Sequence, residues 1–292
     1  MRCEVCFRHC EIRDGETGFC GGRAAEDGKV FAANYGKITS IALDPIEKKP
    51  LNRFHPGKRI LSVGSFGCNL RCPFCQNHEI SWGPEAKQFL DPPEGGRGLA
   101  GVMMPEDLAA AAVQYRPYGN IGVAFTYNEP LIGYEFVRDT ARLVHEAGML
   151  NVMVTNGTAE LSVLAELTPY IDAMNIDLKG FTDRFYRDVL GGSRSMVMDF
   201  IREAVKNCHV GLTTLIIPGE NDSEEEMREL SGWIAGLKDK SGSVTGKRIP
   251  LHISRFFPRF HMTERPPTEV QKVYRLAEVA RENLKYVYTG NC

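Results

Sequence analysis

From residue 60 onward, short continuous apolar runs alternate with longer segments whose apolar residues recur at helical spacing. The short runs, 60–66, 121–126, 150–155, 173–178, 210–217 and 251–256, have the length of buried strands, and 286–288 reads as a short last one. The amphipathic segments predict helices over 105–115, 131–147, 159–167, 196–207, 223–237 and 268–283. Their ends carry fitting chemistry. Pro105 opens one helix with Glu106 and Asp107 in its first turn, Gly148 closes another, and Ser223 before three glutamates caps a third. Six successive strand–helix units predict a parallel sheet with right-handed crossovers. An open doubly wound sheet is the alternative, but no Gly-x-Gly-x-x-Gly run follows any strand, so a dinucleotide fold has no support. About 230 residues are few for a full eight-unit barrel of about 250, and six units would make an incomplete one.

The first 55 residues have a different character. They hold four cysteines and many glycines, with little apolar material, and Pro50, Pro56 and Gly57 punctuate a basic stretch at their end. The expected division is a cysteine-rich segment over 1–55 and the barrel over 56–292. A Gly/Pro-rich stretch over 82–104 interrupts the barrel after its first strand. Apolar content of 43% and charged content of 25% are those of an ordinary globular chain, so neither disorder nor a membrane bundle is expected. A net charge of -2 argues against nucleic acid as a partner. No run approaches a membrane span and no apolar region follows Met1, so a cytoplasmic protein without a signal peptide is expected.

Nine cysteines under those conditions point to metal or iron–sulfur ligation rather than disulfides. Seven fall in two groups. Cys68, Cys72 and Cys75 form C-x3-C-x2-C in the loop leaving the first barrel strand. Three thiolates bind a four-iron cluster one ligand short and leave one iron open to a small molecule. A zinc site completed by His78, or half of a ferredoxin motif, are the competing readings; the next cysteine along the chain is the distant Cys208. Cys3, Cys6, Cys10 and Cys20 form C-x2-C-x3-C-x9-C in a segment too poor in apolar residues to fold alone, so a metal is its expected staple. Four thiolates suit zinc or a second closed cluster, with zinc slightly preferred, and His9 could replace one of them. Cys208 reads as a small core residue.

With Phe74 before the third thiol and Gly67-Cys68-Asn69 at the first, the loop resembles the signature of radical S-adenosylmethionine (SAM) enzymes. That resemblance implies an incomplete (β/α)6 barrel, a [4Fe-4S] cluster on Cys68, Cys72 and Cys75, and SAM as cofactor. Later strand ends follow the same order. Asn128-Glu129 looks like a Gly-Gly-Glu motif that holds the SAM amino group, with the glutamate kept and the glycines lost. Thr155-Asn156-Gly157 and Asp177-Leu178-Lys179 resemble SAM-contacting motifs of the glycyl-radical-activating branch, and His252 resembles a histidine near the SAM ribose. The bland readings are a glutamate at a helix start, an Asp177–Lys179 pair and a structural histidine. Pro218-Gly219 is first a turn, although related enzymes use this loop against adenine. Arg255, Arg259 and Arg265 could hold an anionic substrate group or form a solvated face.

Together with Asp44-Pro45-Ile46-Glu47-Lys48-Lys49-Pro50-Leu51 and Cys75-Gln76-Asn77, the N-terminal cysteines make the chain resemble the AmmeMemoRadiSam-system radical SAM enzymes. These are described as similar to pyruvate formate-lyase activating enzymes. The resemblance implies reductive cleavage of SAM to a 5′-deoxyadenosyl radical, with an electron donor such as flavodoxin or ferredoxin. The target would be a glycyl residue of a partner protein, or a small molecule or another macromolecule handled with partner proteins. A two-cluster electron carrier without catalysis is the non-enzymatic alternative.

Overall fold

A computed structural model describes residues 1–83, 86–87 and 101–292; most of the stretch expected to interrupt the barrel over 82–104 lies outside the described residues. The N-terminal segment forms a hairpin of β1 (Arg23–Glu26) and β2 (Lys29–Ala32), then β3 (Lys37–Ile38) and β4 (Ser40–Pro45). The barrel follows as β5 (Arg59–Gly64), α1 (His78–Trp82), β6 (Gly101–Val102), α2 (Pro105–Gln114), β7 (Asn120–Phe125), α3 (Tyr134–Glu146), β8 (Leu150–Thr155) and α4 (Leu161–Leu167). It continues with β9 (Ala173–Asp177), α5 (Arg194–Ala204), β10 (His209–Ile216), α6 (Glu224–Ala235), β11 (Leu251–Arg255), α7 (Val270–Arg281) and β12 (Val287–Gly290).

Eight strands form one sheet in the order β12-β11-β10-β9-β8-β7-β5-β4, parallel throughout except for β4 against β5. Six parallel strands with their helices make the expected partial barrel, and β12 adds a seventh parallel strand at one edge. At the other edge, β4 precedes residue 55 yet pairs with β5 from Ser40 opposite Gly64 to Pro45 opposite Arg59. The sequence offered no alternation there to announce it: β4 is an edge strand, half exposed, and Pro45 sits at its end where a missing donor costs little.

Strand residues alternate between two environments, as the period of two requires. Outward positions such as Leu61, Val63, Val123, Phe125, Met153, Met174, Ile176, Leu212 and Ile253 join the helices in the main apolar core. Inward positions low in the barrel, Ile60, Ala124, Val152 and Ala173, close on Ile46 and Leu51 in a second core, all fully buried. The segment between β4 and β5 therefore runs across the bottom of the barrel and plugs it. Its polar groups are tied down too: the Asn175 side chain donates to the Pro50 carbonyl at 3.0 Å, and His252 meets Asn52 at 3.0 Å. Gly211 faces the Pro50 carbonyl, which an added Cβ would approach to 3.2 Å. Above this floor, the inward positions turn polar.

Candidate active site

A cavity of about 630 Å3 opens at the C-terminal ends of the parallel strands, the end where parallel barrels carry their chemistry. Cys68, Cys72 and Cys75 line it, together with Asn128, Glu129, Asn156, Asp177, Lys179 and His252. One cavity thus gathers residues that the sequence scatters over five strands and the loops that follow them.

The thiol loop is held by amides. Asn128 accepts from Ser65 N at 3.0 Å and donates to the carbonyls of Phe66 and Gly67 at 3.1 and 3.2 Å, which fixes the turn out of β5. Asn156 donates to Asn69 Oδ1 at 2.9 Å and lies 3.7 Å from Cys68 Sγ; Leu70 N points at the same sulfur from 3.4 Å. N–H groups aimed at a ligating sulfur favour its thiolate form and tune a bound cluster. Without such a charge present, burial raises the Cys68 thiol above its usual value and pushes Cys72 up to about 11. Three soft thiols beside an open cavity fit a cluster with one free iron. Among the described residues, no three His, Cys, Asp or Glu side chains stand together as a single-ion site.

Glu129 is buried and already accepts three bonds, from Leu131 N at 3.1 Å, Thr155 Oγ1 at 2.6 Å and Asn156 N at 2.7 Å. Burial outweighs those donors and raises its pKa to about 7. It therefore ties the ends of β7 and β8 together as well as facing the cavity. Lys179 Nζ lies 2.7 Å from Asp177, so the bland pairing expected of these two residues is real, and it stands on the cavity wall. Burial opposes the ammonium, but Asp177 and then the Cys72 sulfur hold the Lys179 pKa above its ordinary value.

His252 lines the cavity lower down. Its ring meets Asn52 Oδ1 at 3.0 Å and the Leu212 carbonyl at 3.3 Å, and stacks on Tyr288 with centroids 5.1 Å apart. Burial lowers its pKa to about 4, so it is a neutral ring. The three arginines at and beyond the end of β11 stand outside the cavity. Arg255 donates to the Thr268 carbonyl at 2.6 Å, Arg265 is bound to Pro218 and Glu220, and none of Arg255, Arg259 and Arg265 lines the cavity.

Tyr127 has no signal in the sequence beyond its place between Thr126 and Asn128. Its φ of 75° is one that side chains rarely adopt. The conformation is held from the side-chain end: the hydroxyl donates to Asp44 at 2.7 Å, and the ring lies where a Cβ on Gly64 would meet it at 2.8 Å. Asp44 also binds the buried Lys49 at 2.9 Å and the exposed Lys48 at 3.2 Å; these two cations and the tyrosine overcome burial and hold its carboxyl well below the usual range. The acidic and basic residues of the floor segment are thus consumed in its own anchoring. Cys208, half-buried between α5 and β10, and the exposed Cys292 stand outside the cavity lining.

The family model of the radical SAM superfamily matches residues 62–231 of the chain. Over its whole length the chain is 39% identical to an uncharacterized protein, MJ0808, of Methanocaldococcus jannaschii, of which it covers 81%. It is 28% identical to the pyruvate formate-lyase 1-activating enzyme of Escherichia coli K12 across 68% of this chain and 75% of that one. SuiB of Streptococcus suis shares the fold with a TM-score of 0.56 at 15% identity, covering 78% of this chain and 48% of SuiB. The thiol loop that opens the barrel and the strands that complete the cavity as far as β10 all lie within the matched residues. On that footing the chain belongs to the radical SAM superfamily and is a radical SAM enzyme, similar to the pyruvate formate-lyase activating enzymes.

Proposed function

We propose that this enzyme binds a [4Fe-4S] cluster through Cys68, Cys72 and Cys75 and cleaves SAM reductively beside it. The carrying observation is that these three thiols share one cavity with Glu129, Asp177 and Lys179, at strand ends, above a floor sealed by residues 46–51. A reduced cluster supplies the electron that breaks the C5′–S bond of SAM, leaving methionine and a 5′-deoxyadenosyl radical that takes hydrogen from the substrate. The Glu129 carboxylate receives the SAM ammonium, with Asn128 and Asn156 holding the backbone around it. Lys179 receives the methionine carboxylate and is kept protonated by Asp177. His252, neutral and fixed by Asn52, offers a flat polar surface to the ribose. The sealed floor keeps water from entering beneath the reacting groups.

The target we infer is a glycyl residue of a partner protein. Support comes from relatives that bear the names of activating enzymes for pyruvate formate-lyase and, in Clostridium scatologenes, for 4-hydroxyphenylacetate decarboxylase. A carrier that only moves electrons would have no use for Glu129 and Lys179 in the same cavity. Cys3, Cys6, Cys10 and Cys20 bind a metal centre of their own, and the working boundary between that segment and the barrel is residue 55. Among the described residues no helix is long and apolar enough to cross a membrane.

Anaerobic incubation of the reduced, iron-loaded protein with SAM and a candidate glycyl-radical protein tests the target. A glycyl radical signal in the partner, with deuterium passing from its labelled glycine into 5′-deoxyadenosine, is the expected result. Deuterium arriving only from an added small molecule would replace the protein target with that molecule.

A further inference from the structure

The N-terminal cysteines are not a remote knuckle. Cys68 N donates to the Cys20 carbonyl at 3.1 Å, so one hydrogen bond joins the backbones of a cysteine from each group. Gly67 makes the approach possible: with φ at 91°, it sits where an added Cβ would lie 2.6 Å from that carbonyl. A second link runs through side chains. Asn69, fully buried, donates to the Thr158 carbonyl at 2.8 Å and accepts from Asn156, whose amide also reaches Cys68 Sγ at 3.7 Å, while the Arg8 side chain donates to the Asn69 carbonyl at 2.7 Å. Arg8, between Cys6 and Cys10 in the chain, therefore ties the N-terminal segment to the residue that follows Cys68.

The surface above this junction is basic and aromatic. Phe19, 39% exposed, meets two guanidinium groups, Arg8 at 3.3 Å and Arg71 at 4.0 Å from its ring centre. Arg8 donates to the carbonyls of Asn69 and Gly191 at 2.7 Å, and Arg71 to that of Cys68 at 2.9 Å. Among the described residues neither arginine meets a carboxylate in an ion pair. Their guanidinium groups lie instead against the backbone of the thiol loop, at Asn69 and at Cys68. Cations so placed favour any added electron on either group of thiolates.

From this junction we infer that the N-terminal centre is the port through which electrons reach the SAM-cleaving cluster. Cys3, Cys6, Cys10 and Cys20 hold an iron–sulfur cluster rather than a closed zinc site. A reduced, acidic one-electron carrier of the flavodoxin or ferredoxin class docks at Arg8, Phe19 and Arg71, where opposite charge speeds its encounter. The carrier gives up one electron and the N-terminal cluster gains it. That electron then passes across the Cys20–Cys68 contact to the cluster at Cys68, Cys72 and Cys75, and no bond is made or broken on the way. The inference rests on reading those three cysteines as cluster ligands.

The test separates the two readings. The full chain carrying C68A, C72A and C75A, reconstituted with iron and sulfide, should keep a cluster that dithionite reduces to a paramagnetic state visible by electron paramagnetic resonance. Zinc, or no metal, in that variant overturns the inference. In a second variant, Cys3→Ser with Cys6→Ser, rapid mixing with reduced flavodoxin as probe should reduce the remaining cluster at least about tenfold more slowly than in the wild type. Dithionite, small enough to reach either site, should reduce it unchanged and still support SAM cleavage. Equal flavodoxin rates in variant and wild type overturn the port, while loss of dithionite-driven SAM cleavage in wild type would instead overturn the catalytic reading. Phe19→Ala leaves every cysteine in place. It should raise the flavodoxin concentration for half-maximal reduction several-fold and leave the dithionite rate alone; an unmoved flavodoxin dependence counts against the docking site.

Discussion

The two walls of the cavity are built from the same strand-and-loop geometry but hold opposite chemistry. The wall from β5 to β9 carries the thiols, a buried carboxylate and the Asp177–Lys179 pair, and spends amides on orienting them. The wall from β10 to β12 presents Thr213, His252, Ser254, Tyr288 and Thr289, none of them charged. Fixed charges next to one another in a half-dry site are expensive unless each has a partner. They are worth placing where a zwitterionic group must be gripped, and absent where only a ribose or an uncharged chain must lie. The charged wall therefore reads as the face for the amino-acid end of SAM and for the electron. The neutral wall reads as the face for the nucleoside and for the atom that gives up hydrogen.

Substitutions can break that contrast. The largest effect is expected on the charged wall: Cys68→Ala, Cys72→Ala or Cys75→Ala should each abolish 5′-deoxyadenosine formation, because no spare thiol lines the cavity. Cys208→Ala, far from it, should leave product formation at the wild-type level. Wild-type turnover in any one of the three after reconstitution would remove that residue from the ligand set.

Lys179→Ala should come next. A hydrogen bond to a charged group is worth about 1.5–3 kcal/mol, so SAM affinity should fall roughly 10- to 100-fold while the iron content stays constant. Titration of SAM by calorimetry measures it, and an unchanged affinity would make the Asp177–Lys179 pair structural only.

Glu129 sharpens the contrast through pH. Its carboxyl titrates near 7 in the buried site, above the ordinary value. Below that pH the group is protonated and gives the SAM ammonium no countercharge. SAM affinity should thus rise with pH up to about 7, by at most about tenfold per pH unit, and level off above. In Glu129→Gln the slope should vanish. The unliganded fold has the opposite sign: a raised carboxyl binds its proton longer in the native state, so its contribution to stability declines between about 4.5 and 7 as pH rises. A wild-type SAM affinity flat from pH 6 to 8 would show that Glu129 is not the ammonium's partner.

The smallest effect belongs to the neutral wall. His252→Gln keeps a polar planar group and should change SAM affinity less than about threefold, since no charge is lost. Its own titration, held near 4 by burial, should leave no inflection between pH 6 and 8. A tenfold loss of affinity in His252→Gln would place a charge-dependent contact where a neutral one is argued.

Much of this was legible in the sequence because it depends on local order. Apolar runs gave the strands, the residue after each run gave the cavity wall, and the spacing of Cys68, Cys72 and Cys75 gave the loop. What stayed hidden depends on contacts between distant residues. Asp44 and Lys49 belong to a stretch that carries the family resemblance, but their bonds to each other and to Tyr127 exist only once the floor segment folds under β7. Asn52 has no motif to mark it, yet it orients His252 across 200 positions of chain. Asn69 had a faint signal, an amide between two thiols, but its bonds to Arg8 and Asn156 need the N-terminal segment docked on the loop. The partners of Arg255 and Arg265 stayed hidden for the opposite reason: a run of like charge says nothing about the carbonyls and the carboxylate that two of its members meet.

The most direct test of the charged wall's role is a product count. Wild-type protein, loaded with iron and sulfide and reduced by dithionite without oxygen, should convert SAM to 5′-deoxyadenosine and methionine in equal amounts. SAM that binds to the loaded, reduced protein and remains intact over hours would contradict the account.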